Sequence, residues 1–230
     1  MRYFPAFLNF AERPVFVVGS GELAVRKLRL LAKASPTLNV FSVPEGSLVD
    51  EEFGARAVCL SRPLRRADFD FRPALVVVAT EDEQIAAEAI RLGKRAGVPV
   101  NAVDRPADCD VVIPSIIDRG DVAIGISTGG AAPVIGRRLR ERIESLLPAR
   151  LAELVAFTRE RRSRIAARIP GEARRRFYED LLAGPVAEAV LDGDTVRAET
   201  GFVEALENHT APKGTIHIVG AGPGDSELLT

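Results

Sequence analysis

The apolar residues of the first hundred positions fall in short uninterrupted runs, and the stretches between them repeat with a helical period. Val15–Val18 is four apolar residues without a polar break, which marks a strand buried on both faces. It runs into Gly19-Ser20-Gly21, and beyond the glycines Leu23, Leu28, Leu30 and Leu31 supply apolar helix positions among Arg26, Lys27 and Arg29. Runs at Leu38–Val43, Ala55–Leu60, Ala74–Thr80 and Val98–Val103 predict four more strands. Before the last of these, Ile85, Ala86, Ala89, Ile90 and Leu92 recur on one face and predict a helix over Glu81–Gly97. Strands alternating with helices at this spacing define an α/β fold with a doubly wound parallel sheet.

The turn after the first strand reads Gly19-x-Gly21-x-x-Ala24, the dinucleotide fingerprint in the strand–turn–helix setting it requires. Gly19 permits the tight turn, Gly21 lets the backbone approach a pyrophosphate, and small Ala24 lets helix pack on strand. The helix N-terminus offers its unpaired N–H groups to the phosphates. A glycine turn of an unrelated α/β protein is the plain alternative, and the flanking strand and helix favour the dinucleotide. Many such folds carry an acidic residue after the second strand to bind the ribose. This chain has Val43-Pro44-Glu45 there, which leaves NAD and NADP both open.

After Asp104 the pattern changes. Asp110–Asp118 and Asp121–Thr128 are β-type runs joined at Arg119-Gly120, which predicts an antiparallel hairpin. Ser127-Thr128-Gly129-Gly130 then leads into a helix from about Ala131, with Pro133 in its first turn. That loop is either a second anion cradle or a simple glycine-rich turn. From there to Leu182 the chain reads as helices broken near Pro148 and Pro170, and residues 183–213 read as short elements and a linker. The aromatic-rich stretch Tyr3–Phe10 is expected to pack on the sheet or line a cleft.

The 230 residues suffice for one or two domains with cores of their own. Lys and Arg total 31 against 32 Asp and Glu, so overall charge points to no partner. Cys59 and Cys109 are the only cysteines, too few for a disulfide scaffold or a four-cysteine zinc site. The two histidines, His209 and His217, lie in the tail, so no resident metal site is expected. Pro5, Asn9, Glu12 and Arg13 interrupt any signal-peptide core, and no apolar run reaches the roughly 20 residues of a membrane helix. The expectation is a soluble cytoplasmic protein without a membrane partner.

Four blocks occur in order: Val17-Val18-Gly19-Ser20-Gly21-Glu22-Leu23-Ala24-x-Arg26-Lys27, Asn101-Ala102-Val103-Asp104, Ile113-Pro114-Ser115-Ile116-Ile117-Asp118-Arg119, and Ser127-Thr128-Gly129-Gly130-x-x-Pro133. Together they closely resemble the N-terminal half of the siroheme synthase family, its precorrin-2 dehydrogenase/sirohydrochlorin ferrochelatase module. The third block is far more specific than the glycine loop. The stretch Ile218-Val219-Gly220-Ala221-Gly222-Pro223-Gly224-Asp225 resembles the opening strand and loop of the uroporphyrinogen-III methyltransferase fused to that module. The chain therefore reads as a piece of a longer trifunctional protein. One strand and a loop cannot form an S-adenosylmethionine pocket, so Pro223 would meet that ligand only in a full-length parent.

The resemblance implies a Rossmann-like NAD-binding domain over residues 1–113 and a dimerisation hairpin and helix over 114–147. A small helical domain and linker over 148–213 and the truncated start of the methyltransferase over 214–230 would follow. It also implies a homodimer and two reactions. NAD⁺ takes hydride from precorrin-2 to give sirohydrochlorin, and ferrous iron, a substrate, is inserted to give siroheme. NAD contacts carry over to Gly19, Gly21, Glu22, Leu23, Val43 and Pro44, and Asp104 takes part in both reactions as proton acceptor and in metal insertion. Read from the residues alone, Asp104 is either such a base beyond the fifth strand or a turn cap before Pro106. Thr128 stands where family members commonly have serine; the hydroxyl survives for substrate contact, and a regulatory role at this position stays open.

Precorrin-2 bears many carboxylates, so a basic lining is expected, with Arg119, Arg137 and Arg138 as candidate contacts. Residues 131–180 hold thirteen Arg and seven acidic residues, while 181–230 hold two basic and eight acidic ones. The same arginines fit a solvated helical face with i,i+4 pairs. They fit a nucleic-acid surface poorly, since few aromatics interleave and no recognition motif is present. Two other functions stay in view. One is a dehydrogenase without chelatase activity. The other is a nucleotide-sensing dimer without chemistry, which leaves Asp104 and the Pro114–Arg119 block unexplained.

Overall fold

The computed structural model describes residues 3–10, 12–34 and 37–209. His217, Pro223 and the methyltransferase-like stretch lie outside the described residues. Five strands, β1 (Val15–Val18), β2 (Leu38–Phe41), β3 (Val58–Leu60), β4 (Leu75–Val78) and β5 (Val100–Ala102), form a parallel sheet in the order β3-β2-β1-β4-β5. Val15 in the central strand faces Leu38 on one side and Leu75 on the other. Alternate residues of the same strands feed two cores. Val15, Val17, Val40 and Val77 pack under helices α1 (Glu22–Leu31) and α2 (Leu48–Phe53). Phe16, Val18, Val76 and Val78 pack under α3 (Glu83–Arg95). Burial on both faces is what the unbroken apolar runs foretell.

The strands are shorter than the apolar runs. β2 stops at Phe41 because Ser42 takes a left-handed φ of 61°, which breaks the ladder. The run expected from Asp110 does not pair as hairpin until Ser115. Instead the Asp110 and Val111 N–H groups donate to the carbonyl of Val100, at 2.8 and 3.2 Å, so this segment folds back on β5. The hairpin itself is β6 (Ser115–Arg119) and β7 (Val122–Ile126); its short link at Gly120 admits only an antiparallel pair. Of the N-terminal aromatic stretch, Phe10 packs on the core while Phe4 and Phe7 stay exposed.

The chain divides into two compact units, one of residues 3–115 with 125–138 and one of 116–124 with 139–209. Helix α4 (Pro133–Leu146) is followed by α5 (Leu151–Glu160), α6 (Arg162–Arg168) and α7 (Gly171–Ala183), with interruptions at Pro148 and Pro170 as expected. Residues 183–209 of the stretch expected to be short elements and a linker are instead largely helical, and 210–213 lie outside the described residues. The described part holds two regular helices, α8 (Pro185–Asp192) and α9 (Thr195–Glu207). The Gly, Pro and Asp residues that suggested a linker serve as helix signals. Pro185 opens α8, Gly193 closes it at φ 83°, and the Asp194 carboxylate accepts from the Arg197 N–H at 2.9 Å to cap α9.

Phe202, Ile165, Ile169 and Phe177 form the core of the second unit, and Arg161 stacks over the ring of Phe157 at 3.6 Å. Arg161 and Arg164 converge on Glu199, and their hydrogen bonds hold its carboxyl below the usual carboxylate range. Phe202 is fully buried and meets Phe157 edge-on, so Phe202→Ala should cost about 3–5 kcal/mol. The check is the thermal unfolding of helical circular dichroism, where a midpoint equal to that of the wild type would contradict this core.

Candidate active site

Gly19 sits where β1 ends, with φ 133°, and its N–H donates to the Phe41 carbonyl at 3.0 Å. A Cβ there would lie 2.1 Å from the Ala79 carbonyl oxygen at the end of β4, so no other residue fits. Gly21 is the N-cap of α1 and lends it no side-chain cap. A Cβ at Gly21 would meet nothing within 4 Å. The first turn of α1 therefore points uncapped N–H groups into open space at the C-terminal edge of the sheet, between β1 and β4, where the strand order reverses. This arrangement fits a pyrophosphate. Ala24 is fully buried against the sheet, and Leu23 packs at its margin. Glu22 lies at the exposed head of the helix, 3.9 Å from Arg26.

After β2, Val43 is buried in the core and Pro44 is exposed. Only the backbone of Val43 can face a ligand, since its side chain is enclosed. Ser42, with its left-handed backbone, has an enclosed Oγ without a hydrogen-bond partner.

Asp104 follows β5 with φ 60°, a conformation a non-glycine residue adopts at some cost. Its carboxylate is exposed and makes no hydrogen bond or ion pair among the described residues. The turn around it is closed by other groups. The Arg105 N–H donates to the Ala102 carbonyl at 3.3 Å, and the Cys109 sulfur accepts from the Ala102 N–H at 3.2 Å. The Asn101 amide nitrogen donates to the Val111 carbonyl at 2.9 Å, fastening the returning segment, while its Oδ1 is buried without a partner. A turn-capping role for Asp104 thus has no bond to rest on.

Lys27 stands near this carboxylate, half-buried on the flank of α1. Burial pushes its ammonium below the usual lysine range, and the charge of Asp104 pulls the other way. Sequence reasoning missed Lys27 and Cys109. A lysine among arginines reads as an exposed face, and its half-burial arises only on folding.

The remaining candidates divide. Thr128 is half-buried in the turn before α4, its carbonyl accepting from the Ala131 N–H at 3.2 Å, and Tyr3 lies beside Gly129. Arg137 and Arg138 are exposed, without hydrogen bonds or ion pairs among the described residues. Arg119 belongs to the other unit and is tied to Glu144 at 3.1 Å. Much of the arginine-rich stretch is likewise paired, Arg150 with Glu153, Arg159 with Asp121 and Arg175 with Glu179.

Sheet order and glycine turn define a Rossmann-type dinucleotide-binding protein, extended by a hairpin and a helical region. Comparison with known proteins narrows this. Residues 6–115 match an NAD(P)-binding family, 119–146 the central region of sirohaem biosynthesis proteins, and 150–206 the sirohaem synthase dimerisation region. The chain is 40% identical over 234 residues to the siroheme synthase of Stutzerimonas stutzeri and 39% over 239 residues to that of Nitrosomonas europaea. Both alignments cover all of this chain, with 50% and 49% of the respective relative, so it spans about half the length of the relatives it matches. The solved structure of SirC, a precorrin-2 dehydrogenase, shares the fold with a TM-score of 0.69 at 19% identity, over 90% of this chain and 100% of that one. Over its full length the chain is thus a homologue of about half of these siroheme synthases, with models of their N-terminal domains matched along it.

Because open space surrounds Gly21, Gly21→Asp should leave thermal stability within about 0.5 kcal/mol of wild type. It would set a carboxylate against the phosphates, and the dissociation constant for NAD⁺, read by calorimetry, should rise about a hundredfold. Unchanged affinity would place the cofactor elsewhere.

Proposed function

We propose that this chain oxidises precorrin-2 to sirohydrochlorin with NAD⁺ and then inserts ferrous iron, a substrate, to give siroheme. The observation that carries the reading is the exposed, unpartnered carboxylate of Asp104, held on a strained backbone at the same sheet edge as the glycine turn. The oxidation removes a hydride and a proton from the tetrapyrrole. When bound, the nicotinamide ring supplies the hydride acceptor. The α1 N-terminus holds the pyrophosphate, with Gly21 permitting its approach, and the backbone at Val43 and Pro44 borders the adenosine half. Asp104 takes the proton, since its carboxylate is exposed and committed to no other bond among the described residues.

Metal insertion follows from the same group. The macrocycle contributes four nitrogens, and two pyrrole protons must leave as ferrous iron enters. Asp104 accepts these as well, one at a time, passing each to solvent before the next, so the two reactions share one base. Thr128, Arg137 and Arg138 carry groups suited to the substrate's carboxylates, and Arg119 is a weaker candidate because Glu144 already engages it.

A homodimer accompanies this reading. Helix α4 buries only Gly136 and leaves Val134, Ile135, Leu139 and Leu146 exposed, an apolar surface that a second copy would cover. Ile135→Glu with Leu139→Glu should shift sedimentation from dimer to monomer; an unaltered dimer would free α4 from that role. A cytoplasmic location is part of the proposal, and S-adenosylmethionine chemistry belongs only to a longer protein.

The test is anaerobic incubation with precorrin-2 and NAD⁺, following NADH. Wild type should form NADH together with sirohydrochlorin, and Asp104→Ala should lower this rate at least about a hundredfold while keeping its NAD⁺ affinity. NAD⁺ binding without NADH formation by the wild type would favour a nucleotide sensor. Oxidation without subsequent siroheme formation on adding iron would leave a dehydrogenase alone.

A further inference from the structure

An ammonium drawn half out of water needs an anion nearby, or it remains a standing cost to the fold. Lys27 is in that position. No hydrogen bond or ion pair holds its ammonium among the described residues, although several other cations of this unit have carboxylate partners. Leu23, one turn before Lys27 on α1, and Val103, next to Asp104, border the same core, and the charge of Asp104 acts on the Lys27 ammonium without closing an ion pair. Asp104 is itself without a hydrogen bond or ion pair among the described residues. Lys27 and Asp104 thus lie at one margin of that core, one on the flank of α1 and the other on the loop after β5.

Two kinds of anion reach this edge of the sheet, the cofactor's pyrophosphate and the substrate's carboxylates. The pyrophosphate is served by the first turn of α1. Lys27 is five residues beyond Glu22, about 7.5 Å farther along the helix axis, and the carboxylate that acts on it is Asp104. We infer that Lys27 binds a carboxylate side chain of the tetrapyrrole and thereby fixes the macrocycle with its reacting carbon beside Asp104. The inference rests on the proposed precorrin-2 chemistry and adds to it the residue that anchors the substrate next to the base. Asp104 would then be kept out of a direct pair with Lys27 and left available for the proton.

Lys27→Met keeps the aliphatic stem that packs on α1 and removes only the charge. In NADH-formation assays the KM for precorrin-2 should rise about tenfold, with kcat changing less than threefold, as expected for loss of a binding contact. The affinity for sirohydrochlorin, titrated by its absorbance without turnover, should fall by a similar factor, and the dissociation constant for NAD⁺ should stay at the wild-type value. Lys27→Arg should restore most of the tetrapyrrole affinity. A weakened NAD⁺ affinity with unaltered tetrapyrrole binding would overturn the inference and assign Lys27 to the cofactor. Unchanged values throughout would overturn it as well, as would failure of Lys27→Arg to bind better than Lys27→Met. If Lys27→Met does not fold, Lys27→Gln is read by the same criteria. A wild type that binds sirohydrochlorin but forms no NADH defeats the dehydrogenase reading while leaving the anchoring contact to be judged by the titrations. A wild type that binds no tetrapyrrole defeats both.

Discussion

Gly19 lies so close to the carbonyl of Ala79 that a side chain at this position would collide with the end of the neighbouring strand. That contact lets the backbone leave β1, cross the top of β4 and enter α1 within three residues. Everything at this edge follows from it. The helix starts at the sheet rather than above it, its uncapped N–H groups face the crevice where strand order reverses, and Ala24 can pack flush against the strands. A residue with a Cβ would lift the helix and dissolve the cradle.

The second constraint is the loop after β5. Asp104 pays for its exposed, left-handed position with backbone strain, and the strain is held by neighbours rather than by its own side chain. Cys109 reaches back to both backbone groups of Ala102, and Asn101 and Asp110 fasten the returning segment to the edge of β5. Hydrogen bonds that leave the carboxylate out are a reason to read it as chemistry rather than as architecture.

The parallel sheet and glycine turn were legible because their signals are local. Val15–Val18 and Gly19-x-Gly21-x-x-Ala24 depend on nothing distant. The end of β2 was not, because the left-handed turn at Ser42 has no compositional mark. Helices α8 and α9 escaped for a different reason. Gly184-Pro185 and Gly193-Asp194 have the composition of a loop, and their meaning as caps depends on the apolar faces between them, Val186, Ala189 and Val190, finding a core. The pairing of Arg119 was not legible either, because its partner Glu144 lies far along the chain and becomes a neighbour only on folding.

Charge pairing in the first unit separates structure from function. Arg29 meets Glu52, Arg62 meets Asp68, Arg91 meets Glu88 and Arg105 meets Glu83. The Arg62 pair also holds the Asp68 carboxyl below the usual range, so its contribution persists above that range and fades in acid. Asp104 and Lys27, by contrast, interact without closing into an ion pair among the described residues. An intramolecular bridge between them would relieve both, and the fold does not make it. Groups of opposite charge that interact without pairing are each open to a ligand that offers an anion to one and a proton to the other. A polycarboxylate macrocycle losing protons does both, which is why this unclosed pair is stronger support for the proposed chemistry than the density of arginines, most of whose partners lie within the fold.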